Sequence, residues 1–269
     1  MNPQTAIQNE AIIRRKHKYK PGGRDGAFLL TGAEMHHAPA VQRAAGYARL
    51  KRAIDVVVAA GMLVAALPIL LLAGLLVRIT SKGPAIYVQT RLGRGGLPFR
   101  IFKIRTMFNN CESLTGPRWS VPGDPRITFV GRILRATHVD ELPQLWNVIR
   151  GDMSLIGPRP ERPEIIGTLE NELQDYRDRH AVRPGITGLA QVQLPPDVDI
   201  ANVADKLVLD KAYIHHLSPR LDLNILICTA CHVFGLRPRR YRFLLRHVIP
   251  ADFATGESIH RHTKRRKTG

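Results

Sequence analysis

Acidic residues are scarce in this chain. Its 269 residues carry 22 Asp and Glu against 40 Lys and Arg, a formal charge of +18. The excess is concentrated at the ends: residues 1–50 and 237–269 together hold 13 of the 18 net charges. Such ends suit a polyanion, either nucleic acid or an anionic membrane surface, and charge alone does not choose between them. Cysteine is nearly missing too. Three of them exclude a disulfide framework and fit a reduced compartment. No internal repeat is present, which removes solenoid folds. With 44% hydrophobic residues the chain is too apolar to be disordered, and long enough for one core with appendages.

One stretch lacks charge altogether. Residues 56–77 read VVVAAGMLVAALPILLLAGLLV. As a helix it would be about 33 Å long at ~1.5 Å per residue, enough to cross a hydrocarbon core. It lies too far into the chain for an ordinary cleaved signal peptide. A buried core helix is the competing reading. Pro68 sits mid-segment, where it removes a backbone donor and kinks the helix. Arg49, Lys51 and Arg52 precede the segment, and Arg78, Lys82, Arg91 and Arg94 follow it. Basic flanks on both sides place both ends on the cytoplasmic face. Two readings stay open on these facts: a kinked complete span, or a helix that enters and leaves by one face.

Beyond the apolar segment, residues 85–91 and 98–107 read as two strands joined by Gly93-Arg94-Gly95-Gly96, a hairpin turn rather than a dinucleotide fingerprint. Alternation along the second strand puts Lys103 and Arg105 on one face, a pair able to hold phosphate or simply to face solvent. A helix is expected from about Asp140, with Pro143 in its first turn and Leu142, Leu145, Trp146 and Ile149 on its buried side. Residues 161–181 and 203–217 read as helices, 157–160 and 183–188 as turns, and 221–236 as an apolar segment suited to an interface.

Asp140-Glu141 at a helix start is the pattern richest in chemistry. Free N–H groups there favour an ionised carboxylate and attract phosphate. An N-cap followed by a first-turn acid would look the same. The surroundings favour chemistry: residues 78–160 hold 13 Lys and Arg against 5 Asp and Glu. Lys103, Arg105, Arg126, Arg132, Arg135 and Arg159 flank the acids in sequence. Carboxylates, arginine forks and a divalent cation make a phosphoryl-transfer toolkit. Cys228-Thr229-Ala230-Cys231-His232 matches a haem-attachment spacing, but it lies in an apolar run where small cysteines pack well.

Longer motifs carry a resemblance. Lys103-Ile-Arg-Thr-Met107, Asp124-Pro-Arg-Ile-Thr128 and Gly131-Arg-Ile-Leu-Arg135 come first. Asp140-Glu-Leu-Pro-Gln-Leu-Trp-Asn-Val148, Gly151-Asp-Met-Ser-Leu-Ile-Gly-Pro-Arg-Pro160 and Arg183-Pro-Gly-Ile-Thr-Gly-Leu-Ala-Gln-Val192 follow. Over residues 48–235 the chain resembles the bacterial sugar transferases, monotopic polyprenyl-phosphate phosphoglycosyl transferases, in their short form. The resemblance implies transfer of a sugar-1-phosphate from a UDP-sugar to undecaprenyl phosphate with release of UMP. It implies Asp140 as nucleophile, Glu141 as its partner, and Mg²⁺ held by Asp140 and Glu141. Lys103, Arg135 and Arg159 match phosphate-binding cations of the family, and Arg105 and Arg126 are carried as further candidates.

The implied fold is α+β: a membrane-associated monotopic domain with one re-entrant membrane helix broken near Pro68, a small β-hairpin or sheet, and several amphipathic helices. Residues 1–47 would be a basic mobile tail, 48–82 the membrane element, 83–236 a cytoplasmic catalytic domain with interfacial helices, and 237–269 a second basic tail. The implied location is the cytoplasmic face of the bacterial inner membrane. The implied partners are a UDP-sugar, undecaprenyl phosphate and the bilayer, with a homodimer allowed and nucleic acid not expected. Departures fall at Leu67 before the proline, at His138-Val139 before the acids, at Leu189, and at Gln193-Leu194-Pro195-Pro196, where members often carry Asn-Gly-Arg. The alternative class is a basic membrane-anchored protein that binds anionic lipid or nucleic acid without catalysis.

Overall fold

In the computed structural model, which describes residues 45–113, 116, 123–195, 200–236 and 241–249, the charge-free stretch is the middle of one long helix, α1 (Ala45–Thr80). Most of the two basic tails lies outside the described residues. At ~1.5 Å per residue α1 is about 54 Å long. Pro68 stands inside it, and the chain is helical on both sides. The break expected at Pro68 is therefore not a break in the helix. A proline deletes one backbone donor and crowds one turn, which bends a long helix without having to end it.

One stripe of α1 is buried: Asp55, Ala59, Ala66, Ala73 and Val77. Their spacing of four and seven residues is one helical face, and their small side chains let the helix lie close to the domain. The other faces expose Val57, Val64, Leu71, Leu72 and Ile79. Only 17% of the most apolar window is buried, so the buried-core-helix reading fails. The helix is long and apolar enough to cross a membrane.

Both ends of α1 are fastened to the rest of the chain. Near its start, Lys51 pairs with Asp222 at 2.8 Å, and Arg52 donates to the carbonyls of Val148 and Ile149. Asp55 accepts from Ser154 Oγ at 2.7 Å and from the Leu155 N–H. Past its end, Arg105 donates to the carbonyls of Ser81, Gly83 and Pro84.

The expected hairpin is present. Strands β1 (Ile86–Leu92) and β2 (Pro98–Ile104) pair antiparallel, with Ile86 opposite Ile104 and Leu92 opposite Pro98. Gly95 and Gly96 take the positive φ that the turn requires. Helix α2 (Phe129–Ala136) starts at Thr128, whose hydroxyl accepts from the Gly131 N–H at 2.9 Å. Helix α3 (Gln144–Arg150) begins four residues later than expected, after a separate 3-10 turn.

A second sheet lies just ahead of the turn at 157–160 and inside the segment read as a turn at 183–188. Strands β3 (Ser154–Ile156) and β4 (Gly185–Thr187) pair in parallel. A Cβ on Gly185 would lie 2.1 Å from the Gly157 nitrogen, so only glycine permits this approach. Helices α4 (Pro163–Glu172), α5 (Leu189–Gln193), α6 (Ile200–His215) and α7 (Pro219–Val233) complete the elements used below.

The main core joins Leu145 and Val148 of α3, Met153 and Leu155 around β3, Leu209 and Tyr213 of α6, and Leu221 and Ile225 of α7. Cys228 is fully buried in this core and Cys231 packs against it, as expected of small cysteines in an apolar run. One expectation changes here. Residues 241–249, assigned from sequence to a basic tail, fold onto α7 and bury Tyr241, Leu245 and Val248. Three apolar anchors outweigh the charge of that segment.

Candidate active site

The acids sit where the chain reverses. After α2 ends, His138 adopts the left-handed conformation at φ 57°, and a 3-10 turn, Val139–Glu141, follows at once. The reversal returns the chain toward β2, and α3 then leaves along α1. Asn147 of α3 fixes this placement. Its amide donates to the Arg100 carbonyl at 2.7 Å, and its Oδ1 accepts from the Phe102 N–H at 3.1 Å. One buried side chain thus plays the part of a neighbouring strand along β2. The dyad turn and Lys103 are held in register by it.

Glu141 is the hub. Its Oε1 accepts from Lys103 Nζ at 2.7 Å and from Arg159 Nη2 at 2.8 Å. Burial alone would raise its carboxyl, but Arg159 and Lys103 hold it well below the usual carboxylate range. The Lys103 ammonium is lowered by burial, with Glu141 pulling the other way. Asp140 has the opposite environment. It is buried, and among the described residues no hydrogen bond or ion pair reaches its carboxylate. Burial, and next the negative charge of Glu141, push it up to about 6, against the pull of Lys103, Arg135 and Arg159. One acid is kept ionised by contact, and its neighbour titrates near neutrality.

The expected cations divide into four groups. Lys103 and Arg159 meet at Glu141. Arg135 donates to Thr106 Oγ1 at 2.8 Å and lies within the field of Asp140. Arg126 is clamped on Asp124, with Nη2 at 2.6 Å from Oδ2 and Glu112 at 3.6 Å. It pairs with these two acids rather than with Asp140 or Glu141. Arg105 does not join Lys103. β2 ends at Ile104, so strand alternation no longer governs Arg105, and its guanidinium turns to the carbonyls beyond α1.

Sequence reasoning missed the support beneath Arg159. Arg179 donates to the Arg159 carbonyl at 3.0 Å and pairs with Asp210 at 2.7 Å. Arg91 donates to the Pro160 carbonyl and lies 3.7 Å from Glu161. Arg179 and Asp210 are 31 residues apart on different elements, with no motif joining them. The conformation of 157–160 is thereby set from below.

Comparison with known proteins decides the family. The family model described as bacterial sugar transferase matches residues 46–235. The chain belongs to the bacterial sugar transferase family. It is 40% identical over 183 residues to the UDP-N-acetylgalactosamine-undecaprenyl-phosphate N-acetylgalactosaminephosphotransferase of Aeromonas hydrophila, covering 68% of this chain and 43% of that protein. It is 45% identical over 183 residues to the UDP-glucose:undecaprenyl-phosphate glucose-1-phosphate transferase of Caulobacter vibrioides, covering 66% of this chain and 67% of that one. It is 39% identical over 185 residues to the exopolysaccharide production protein PSS of Rhizobium leguminosarum bv. phaseoli, covering 67% of this chain and 92% of that one. The chain thus spans less than half of the Aeromonas protein, two thirds of the Caulobacter one and most of the Rhizobium one.

The region matched to the bacterial sugar transferases contains every site residue named above and stops short of the folded segment at 241–249. A cation implied for the family would find oxygen ligands here. Asp140 is unengaged among the described residues, and Glu141 keeps Oε2 clear of the two cations on Oε1. Magnesium takes one or two carboxylates and completes its shell with water and substrate phosphate, so two acids fit it. No group of three or more His, Cys, Asp or Glu able to hold a metal occurs among the described residues, which does not fit a structural zinc site.

Proposed function

We propose that this bacterial sugar transferase moves a sugar-1-phosphate from a UDP-sugar to undecaprenyl phosphate and releases UMP, initiating a polysaccharide or glycoconjugate. The observation that carries this reading is the asymmetric acid pair: Asp140 buried, unengaged and raised to about 6, beside a Glu141 held ionised by Lys103 and Arg159. An aspartate that is ionised near neutral pH yet bound by no contacting cation is suited to attack. In the first step an Asp140 oxygen attacks the phosphorus that bears the sugar. The diphosphate P–O bond breaks and UMP leaves with its electrons. In the second step a phosphate oxygen of the polyprenyl phosphate attacks the aspartyl-phosphosugar, and the acyl-phosphate bond breaks to restore Asp140. Lys103, Arg135 and Arg159 orient phosphate oxygens and offset their charge. Asp140 and Glu141 would hold Mg²⁺, which supplies charge neutralisation to the diphosphate.

The same reading places α1 in the cytoplasmic leaflet of the inner membrane, entering and leaving by one face. The fastening of both ends of α1 to one domain, through Lys51, Arg52 and Asp55 at one end and Arg105 at the other, supports it. A helix tied to the domain at both ends leaves no end to emerge on the far side. The test is UMP release from a panel of UDP-sugars with Mg²⁺, with and without undecaprenyl phosphate. Multiple turnovers that need the lipid, and a single burst of UMP without it, are expected. Release that is insensitive to Asp140→Asn would sink the covalent route.

A further inference from the structure

Asn147 ties the chain down beyond the acids. Ahead of them stands His138, a residue other than glycine held at φ 57°. A left-handed conformation of this kind persists only where the surroundings enforce it. The His138 N–H donates to the Arg135 carbonyl at 3.3 Å, and its own carbonyl accepts from the Glu141 N–H at 3.2 Å. Its ring lies 6.2 Å from the ring of His232, centre to centre, at a tilt of 44°. That separation falls within the ~4.5–7 Å of paired rings. His232 stands in the last turn of α7 and has a second partner, since its Nδ1 is hydrogen-bonded to Tyr241 Oη at 3.3 Å.

Asn224, Cys228 and His232 recur every fourth residue and so share one stripe of α7. All three meet the segment 241–249. Asn224 donates to the Leu244 carbonyl at 3.0 Å, Cys228 Sγ to the Tyr241 carbonyl at 3.8 Å, and His232 bonds the Tyr241 hydroxyl. Two members of the Cys-Thr-Ala-Cys-His pattern thus seat a buried tyrosine. The segment itself lies beyond the residues matched to the family. We propose that His138 and His232 are a pair of positioning residues, through which the segment 241–249 fixes the turn bearing Asp140 and Glu141 for the transfer step. The inference rests on the transferase reading above. Asp140 has no contacting cation among the described residues, so its aim depends on the backbone at both ends of the turn. Asn147 secures one end to β2, and the imidazole pair secures the other to α7.

The test is a double-mutant cycle in the full-length protein. His232→Ala favours helix, and His138→Asn keeps a residue that tolerates positive φ, so both variants should fold. Each is expected to slow the lipid-independent UMP burst by roughly fivefold, the scale of one ring contact. The double variant should be no slower than either single one. Burst amplitude and the KM values for both substrates stay at wild-type levels, which separates a misaimed acid from lost folded protein. His232→Phe keeps a ring and should recover most of the rate. His216→Ala removes an exposed imidazole elsewhere and should change nothing. Hydrogen exchange reads the turn without any donor: the Glu141 and Leu142 amides should lose protection in His232→Ala.

An unchanged burst rate in His232→Ala overturns the proposal. Losses that multiply in the double variant also overturn it, because the two rings then act separately, as does unchanged protection of the turn. Absence of UMP release from the wild-type protein with every donor is a different failure, that of the transferase reading itself, and the exchange measurement would still report whether the ring pair holds the turn.

Discussion

Asp140 and Asp210 are both buried aspartates that burial raises to about 6, yet they belong to regions built on opposite plans. Asp210 touches its cation. Arg179 lies 2.7 Å away, and Tyr176 and Glu161 surround that guanidinium. The charges in that cluster meet by contact, and through Arg179 the cluster holds the Arg159 backbone and Glu161 in place. Asp140 has three cations in its field and none in contact among the described residues, because Lys103 and Arg159 are bound to Glu141. Contact makes a brace, and field without contact leaves a carboxylate open for the attack proposed for it. Burial alone does not distinguish the two.

The contrast can be broken by removing one charge at a time. Asp140→Asn should have the largest effect, a loss of turnover of ~10⁴-fold or more, as for other covalent nucleophiles. The same variant should be more stable at pH 8, by roughly 1–3 kcal/mol, because it removes an anion that the fold disfavours. Thermal melts beside UMP release would check both, and a destabilised Asp140→Asn would show that its charge is braced after all. Asp210→Asn should do the reverse. It takes from the buried Arg179 its nearest anion and leaves only Glu161 at 3.9 Å, at a cost of about 3 kcal/mol. Its turnover should fall mainly through a loosened Arg159, as a higher KM for the UDP-sugar. Glu141→Gln lies between them. It frees Lys103 and Arg159 from their anion, and a loss of ~2 kcal/mol in stability with a ~100-fold loss of turnover is expected.

Which parts of this were legible beforehand follows from how local each signal was. The hairpin was readable because Gly-Arg-Gly-Gly fixes a turn between two apolar runs. The acid pair was readable because two carboxylates stand among many arginines. Arg105 was misplaced because alternation was carried one residue past the end of β2. The β3–β4 pairing escaped notice because three-residue strands are too short to establish a period, and partners 31 residues apart leave no local trace. The Arg179–Asp210 brace was invisible for the same reason. Residues 241–249 were masked by their own arginines, which drew attention from Tyr241, Leu245 and Val248. At Pro68 the expected break was not found, since residue type gives the cost of a proline but not whether neighbouring packing tolerates it.

The smallest expected effect is also the sharpest probe of the contrast, the pH profile. Asp140 must be ionised to attack, so kcat/KM should rise with pH and level off above about 6, falling roughly tenfold for each unit below it. Glu141 titrates far lower and adds no second limb in that range. Stability runs the other way. With a folded value above the ordinary 3.8, the contribution of Asp140 is complete below that ordinary value and is lost as pH rises through about 6. The groups that face Asp140 are Glu141, Lys103, Arg135 and Arg159, and the three cations pull its value down. Lys103→Met removes one of those pulls, so the activity limb should move to higher pH. Asp210→Asn removes none of these charges and reaches only Arg159, indirectly through Arg179, so the limb should move less than in Lys103→Met even as the fold weakens. A limb that moved as far in both variants would mean that the brace and the acid pair are one electrostatic unit, and the distinction between contact and field would fall.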